Sequence, residues 1–302
     1  NLKAGLVQSA HNEDALKALA DETAHLNASY GYNDVRMMDA AEIASHLSTS
    51  IYPGGQFDAG GGHLHPLNYA RGLASVAEKA GAQIFEHSRA LHVEGGKVTC
   101  AQGTVTADRI LLACDAFTAS VAPQLAPYIA HVESFMGATA PLGEFLSRRL
   151  IPSDVAVADT RHVLDYYRKS ADGRLLFAGR ESYFSVPKDV ASIVRPRMVK
   201  VFPMLRDQPI EYAWSGTVGI TRTRMPHFGR IGERVFFAHG YSGHGVALAT
   251  LGGKLLAEAA QGKTERFDVF AKVPAKKFPG GPLLRKPLVT AALLWYKLQD
   301  AM

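Results

Sequence analysis

The sequence predicts an α/β (α+β) protein in which layered helix–strand material flanks an inserted, mainly antiparallel lobe. Three observations carry this reading. Residues 66–113 run as helix, hairpin and apolar strand, residues 130–220 are dominated by strand patterns, and at 235–261 an apolar strand meets a small-residue helix across a glycine-rich turn.

Taken in order, Glu13–Tyr30 spaces Ala15, Leu16, Leu19, Ala20, Ala24 and Leu26 at helical intervals, and Asp39–Leu47 forms a shorter helix capped by Asp39. Together these make a small helical entry. The stretch Pro53–His63 is too rich in glycine for helix and suits close backbone approach. Pro66 opens a helix that ends at Gly81, followed by a short strand over Ala82–Glu86. Strands over Ala90–Val93 and Lys97–Cys100 are joined by Glu94-Gly95-Gly96, and the unbroken apolar run Ile110–Ala113 reads as a strand buried on both faces. Further strands are expected near Ser134–Thr139, Val155–Ala158, Val163–Arg168, Leu175–Gly179 and Ile210–Ile220, with one helix about Asp189–Phe202 among them. Ser170-Ala171-Asp172-Gly173 supplies the turn of a hairpin. Arg234–Ala238 is again a buried strand and Gly245–Gln261 a long helix.

With 47% hydrophobic and 20% charged residues, the 302-residue chain has the make-up of a globular protein. Its net charge of +5 is too diffuse to argue for a nucleic-acid partner. Two cysteines, Cys100 and Cys114, exclude a disulfide framework or a multi-cysteine metal site, so no metal is expected and a reducing, cytoplasmic setting is. No apolar run reaches the roughly 20 residues that span a bilayer. The apolar segment Pro287–Met302 suits a C-terminal docking helix; an interfacial membrane helix is the alternative.

The most informative segment is Val235–Ala249, where the buried strand enters Gly240-Tyr241-Ser242-Gly243-His244-Gly245 and then a helix of Ala, Gly and Leu. Such a turn presents free backbone N–H groups at the positive end of a helix, where an anion or a carbonyl oxygen can bind. A connection chosen only for tight packing has the same composition. Gly252-Gly253-Lys254-Leu255 lacks the Ser or Thr of a Walker loop, and no G-x-G-x-x-G follows a strand early in the chain.

That hexapeptide resembles the C-terminal flavin motif of the FAD-dependent D-amino acid oxidase, glycine oxidase and sarcosine oxidase family. Gly61-Gly62-His63-Leu64-His65-Pro66-Leu67-Asn68-Tyr69-Ala70, Leu164-Asp165-Tyr166-Tyr167-Arg168, Arg174–Arg180 and Phe278-Pro279-Gly280-Gly281 resemble its gamma-glutamylputrescine oxidase subgroup. The resemblance implies one FAD-dependent domain over 1–262, of the glutathione-reductase-like type, with a tail at 263–302. Within the domain it implies an FAD lobe at about 64–128 and 234–262 and a substrate lobe at about 1–63 and 129–233. It further implies that the family's first dinucleotide-binding unit, about 100 residues or more, precedes residue 1 and is missing from a truncated chain.

The function so implied is oxidation of a primary or secondary amine to imine or aldehyde, with O2 reduced to H2O2 and a gamma-glutamylputrescine-like substrate. A D-amino acid or N-methyl amino acid oxidase or dehydrogenase is the alternative, and a non-catalytic binding fragment lacking the nucleotide lobe is another. Gly240, Tyr241, Ser242, Gly243, His244, Gly245 and Val246 would contact FAD, with the N–H groups of Ser242 to Val246 stabilising negative charge on the reduced ring. Gly216–Pro226 lacks the cysteine that tethers flavin in some relatives, so noncovalent FAD is implied; Ala247 stands where a relative has a lysine. His63 and His65 are candidates to orient substrate or accept a proton, although His65 suits helix capping equally. Tyr166, Tyr167, Tyr183 and Trp214 are candidates for an aromatic wall, against the ordinary role of strand aromatics as core. Arg180-Glu181 would meet the distal charges of a glutamyl substrate or pair at the surface.

Overall fold

The computed structural model describes residues 2–182, 186–281, 284, 287–292 and 295. The first part of the chain forms β1 (Lys3–Ser9), α1 (Glu13–Tyr30), β2 (Val35–Asp39), α2 (Ala40–His46), β3 (Gly54–His63) and α3 (Pro66–Lys79). There follow β4 (Ala90–Glu94), β5 (Lys97–Cys100), β6 (Thr104–Thr106), β7 (Ile110–Leu112), α4 (Thr118–Val121), β8 (Ala130–Thr139) and α5 (Gly143–Leu150). The remainder comprises β9 (Ala156–Asp159), β10 (Tyr166–Lys169), β11 (Leu175–Ser182), α6 (Val190–Val201), β12 (Ile210–Ile220), β13 (His227–Ile231), β14 (Val235–His239), α7 (Gly245–Ala260) and α8 (Glu265–Ala271).

The chain divides into two compact units, one built from Asn1–Arg71 and Ser134–Gly216, the other from Gly72–Glu133 and Thr217–Leu293. The segment 217–233, placed with the substrate lobe from sequence, thus packs with the second unit.

The first unit is organised by an eight-stranded sheet in the order β12-β8-β11-β10-β9-β1-β3-β2. The β1–β9 pair is parallel, whereas β1–β3, β2–β3, β9–β10 and β10–β11 are antiparallel. Alternation along the strands sends Val7, Phe135, Val157, Tyr167 and Phe177 into one core with Ile43 of α2, Leu150 of α5 and Val194, Met198 and Val201 of α6. Helix starts are fixed by side chains: Asn12 Oδ1 accepts from Ala15 N at 2.8 Å, Asp39 Oδ1 from Glu42 N at 2.8 Å and Asp189 Oδ1 from Ser192 N at 3.1 Å.

The entry segment is not purely helical. The glycine run forms β3, held between β1 and β2. A side chain at Gly55 would collide with Gln8 O, and one at Gly62 with Lys3 O, so the strand's glycines accommodate the neighbouring backbone. A second helix, α5, also interrupts the strands in addition to α6.

The second unit holds two three-stranded sheets, β13-β14-β7 and β4-β5-β6. Val93, Ile110, Leu112, Leu125, Val235 and Phe237 form one cluster; Phe228, Phe236, Tyr241, Leu255, Leu256 and Phe267 form another beneath α7 and α8. Two strand expectations fail. Ala82–Glu86 is not a strand: it has no ladder partner among the described residues, and Ile84 and Phe85 are exposed. The apolar run at Ile110–Ala113 is buried on one face only. β7 is an edge strand, and its central residue, Leu111, is 39% exposed. Residues 287–292 are helical, and the rest of the expected docking helix falls largely outside the described residues.

Candidate functional site

All five residues of β14 are buried. The strand pairs in parallel with β7, aligning Phe236 with Leu111, and antiparallel with β13. The carboxyl ends of β7 and β14 therefore share one edge, the edge at which parallel sheets ordinarily receive ligands.

The chain leaves β14 through Gly240, whose φ is +73°, and a side chain there would run into Thr221 Cγ2. Ser242 holds φ +54° without being glycine. Local bonds offset that strain: its N–H donates to Gly219 O at 3.0 Å and its hydroxyl donates to Gly240 O at 3.1 Å while accepting from Thr221 N at 3.3 Å. Tyr241 turns inward and lies over Gly252 of α7, where a Cβ would sit 2.7 Å from the phenol oxygen. Burial, with a smaller contribution from the charge of Asp115, pushes the Tyr241 phenol up to about 12, so it stays neutral.

The turn is held from outside by Asp115, in the bend that follows β7. Its Oδ1 accepts from Gly240 N at 2.8 Å and Tyr241 N at 3.4 Å, and its Oδ2 accepts from Gly219 N at 3.3 Å. Sequence reasoning passed over Asp115; its one signal was a carboxylate directly after an apolar strand.

Not all the N–H groups expected to face a ligand are free. Ser242 N is spent on Gly219 O and His244 N on Tyr241 O at 3.0 Å. Among the described residues, the N–H groups of Gly243, Gly245 and Val246 have no protein acceptor, nor does that of Ala247 in the first turn of α7. Gly243 and His244 are exposed, and Val246 is 52% exposed. His244 makes no side-chain cap.

Behind the turn, His239 pairs with His227 across the β13–β14 ladder, Nε2 to Nδ1, at 3.0 Å. The rings sit against Phe237, and that of His227 also against Tyr128. Burial lowers His227 to about 4 and His239 to about 3, so both are neutral at physiological pH.

In the first unit, His63 Nε2 lies 2.7 Å from Asp154 O, and the exposed His65 accepts from Asn68 N at 3.3 Å through Nδ1. His65 thus caps α3. Tyr167 is core: it stacks on Phe177 with ring centroids 5.2 Å apart and meets Phe202 edge-on. Tyr166 points to the opposite face of the sheet and shares a 2.7 Å hydrogen bond with Ser134. Trp214, on β12, is 45% exposed. Tyr183 lies outside the described residues, as do the side chains of Arg180 and Glu181.

Beneath that sheet, Asp159 and Asp165 are buried beside Arg161 and Arg197, with Arg197 Nε donating to Asp165 Oδ1 at 2.9 Å. Burial outweighs the arginines at Asp165 and pushes its carboxyl up to about 6.

A parallel strand pair that opens at its carboxyl edge onto a helix N-terminus is an arrangement at which α/β proteins can receive an anion or a carbonyl oxygen. The family description "FAD dependent oxidoreductase" matches residues 2–259, and the chain belongs to that family. It is 41% identical over 276 residues to the probable oxidoreductase OrdL of Rhizobium meliloti, covering 90% of this chain and 64% of that protein. It is 38% identical over 278 residues to the gamma-glutamylputrescine oxidoreductase of Escherichia coli, covering 90% of this chain and 65% of that one. The chain thus spans just under two thirds of the length of these relatives. The fold matches crystalline glycine oxidase from Geobacillus kaustophilus with a TM-score of 0.78 at 20% identity, over 92% of this chain and 76% of the other. No helix among the described residues is long and apolar enough to cross a membrane.

Proposed function

We propose that the protein is a noncovalent FAD-dependent amine oxidase that converts a gamma-glutamylputrescine-like amine to its imine and passes the electrons to O2. The observation that carries this is the turn from Gly240 to Val246, at the open edge of β7 and β14, with unpartnered N–H groups on Gly243, Gly245 and Val246. The likeness to gamma-glutamylputrescine oxidoreductase supports the substrate class.

The donor set suits FAD. A Cβ at Gly243 would meet nothing within 4 Å, and the Gly243–His244 end of the turn is exposed. Amide donors backed by the positive end of a 16-residue helix complement the carbonyl edge of a flavin ring. FAD bound there supplies the two-electron acceptor that amine oxidation requires. The chain's own part would be electrostatic: the amides of Gly243, Gly245 and Val246 would stabilise negative charge on the bound ring, a dipole contribution of roughly 0.3–2 kcal/mol.

Tyr166, on the sheet face away from α6 and anchored by Ser134, is the candidate to bound the aliphatic part of the amine. His63, fixed by Asp154 O, is the candidate to orient it. Two unpaired cysteines are in keeping with a cytoplasmic setting.

The test is to express the complete gene product, record its flavin spectrum and compare H2O2 release from gamma-glutamylputrescine, sarcosine and D-alanine. Preferential turnover of gamma-glutamylputrescine is expected. Absence of flavin sinks the cofactor reading, and preference for either amino acid sinks the substrate reading.

A further inference from the structure

We propose that Asp115 is the positioning residue of the flavin turn: its carboxylate joins the amides of Gly240 and Tyr241 to that of Gly219 and so holds the free N–H groups of Gly243, Gly245 and Val246 in place. This inference rests on the flavin reading of the preceding subsection.

Three observations converge. First, the two carboxylate oxygens take three backbone donors from two separate segments, the end of β12 and the exit from β14. Hydrogen bonds to a charged acceptor are stronger than neutral ones and directional. Second, Asp115 adopts φ +40°, a conformation costly for a side-chain-bearing residue, which a glycine would adopt freely. Aspartate at such a position indicates that its side chain is needed. Third, the packing around it is cut to fit. A Cβ at Gly219 would approach the N and Cα of Ala116 to 3.0 Å, so the bend at Asp115 reaches β12 only because residue 219 is glycine.

The clamp acts through the turn. Gly219 receives Asp115 on its N–H and Ser242 on its carbonyl, while Ser242 bonds back to Gly240 and Thr221. Every fixed residue from Gly240 to Ser242 is therefore tied, directly or at one remove, to the Asp115 carboxylate. Gly243 is the next residue and has φ +97°, and the helix begins two residues later. Without the clamp, the amides that precede α7 lose their fixed bearing.

Three variants of the complete gene product separate a clamp from a mere bend: Asp115→Gly, Asp115→Ala and Asp115→Asn. Glycine keeps the bend and removes the carboxylate. Asparagine keeps an acceptor oxygen for Gly240 and Tyr241 but carries no charge and turns an NH2 donor toward the Gly219 N–H. Titration with FAD is expected to show at least tenfold weaker binding for both Gly and Ala, with Asn intermediate between them and the unmodified protein. Amide hydrogen exchange in the FAD-free proteins is expected to accelerate at Gly219, Gly240 and Tyr241 in the Gly and Ala variants. Wild-type FAD affinity in Asp115→Gly overturns the proposal, because the bend alone then suffices; unchanged exchange at those three amides overturns it as well. Failure of the unmodified protein to bind FAD instead overturns the flavin reading, and shows itself before any variant is compared.

Discussion

Gly243 constrains the site through its backbone, since at φ +97° with no neighbour within 4 Å the cost of a side chain there is conformational. Gly245 differs: its φ lies outside the left-handed region, and a Cβ would rest 3.8 Å from Tyr241 Cβ, an ordinary contact. Gly243→Val should therefore weaken FAD binding about tenfold or more through strain of ~1–2 kcal/mol, and Gly245→Val distinctly less. Equal losses in a flavin titration would contradict this ordering. His65, by contrast, is occupied as a cap, and truncating it should register in the stability of α3 more than in substrate turnover.

Among the elements, the sheet of the first unit is fastened to α6 through a stack of rings. Phe177 is fully buried and lies parallel to Tyr167, which in turn meets Phe202. Phe177→Ala should cost about 3–5 kcal/mol, read as a lowered denaturant midpoint with little change in slope. A loss below about 1 kcal/mol would mean that the neighbours collapse into the space.

The elements with strong periodicity were legible from sequence. The α1 helix, the β10–β11 hairpin and the β14–α7 crossing follow from apolar spacing and turn residues. β3 was not, because five of its ten residues are glycine and carry no alternation. Ala82–Glu86 has strand-like residues but no partner, and a strand is a property of a pair. For the same reason the glycine turn was visible while its clamp was not: Asp115 lies 104, 125 and 126 positions from Gly219, Gly240 and Tyr241.

At the scale of the molecule, the two units carry opposite responses to acid. His227 and His239, in the second unit, have folded-state values below the ordinary histidine value of 6.5. The unfolded chain takes up protons first, so their contribution is complete above pH 6.5 and is lost as pH falls through about 4 toward 3. Asp165, in the first unit, is raised from 3.8 to about 6. It binds its proton more tightly when folded, and its contribution is lost as pH rises from about 4 through 6. Hydrogen exchange at pH 7 and pH 5 should show protection falling at β13–β14 while β10 and α6 hold or gain. Uniform loss across both units would refute the assignment.

The place of β1 in the large sheet has a further consequence for how the chain comes into being. β1 lies between β3 and β9, and its parallel partner begins only at Ala156, far downstream. During synthesis β1, β2 and β3 can pair as a local antiparallel set. β1 then keeps one edge of unpaired N–H and C=O groups until about 150 more residues have been added. Closure of the sheet is thus a long-range event, and the growing chain carries an adhesive edge while those residues are made. Chaperone demand and aggregation in expression should track the time before β9 emerges.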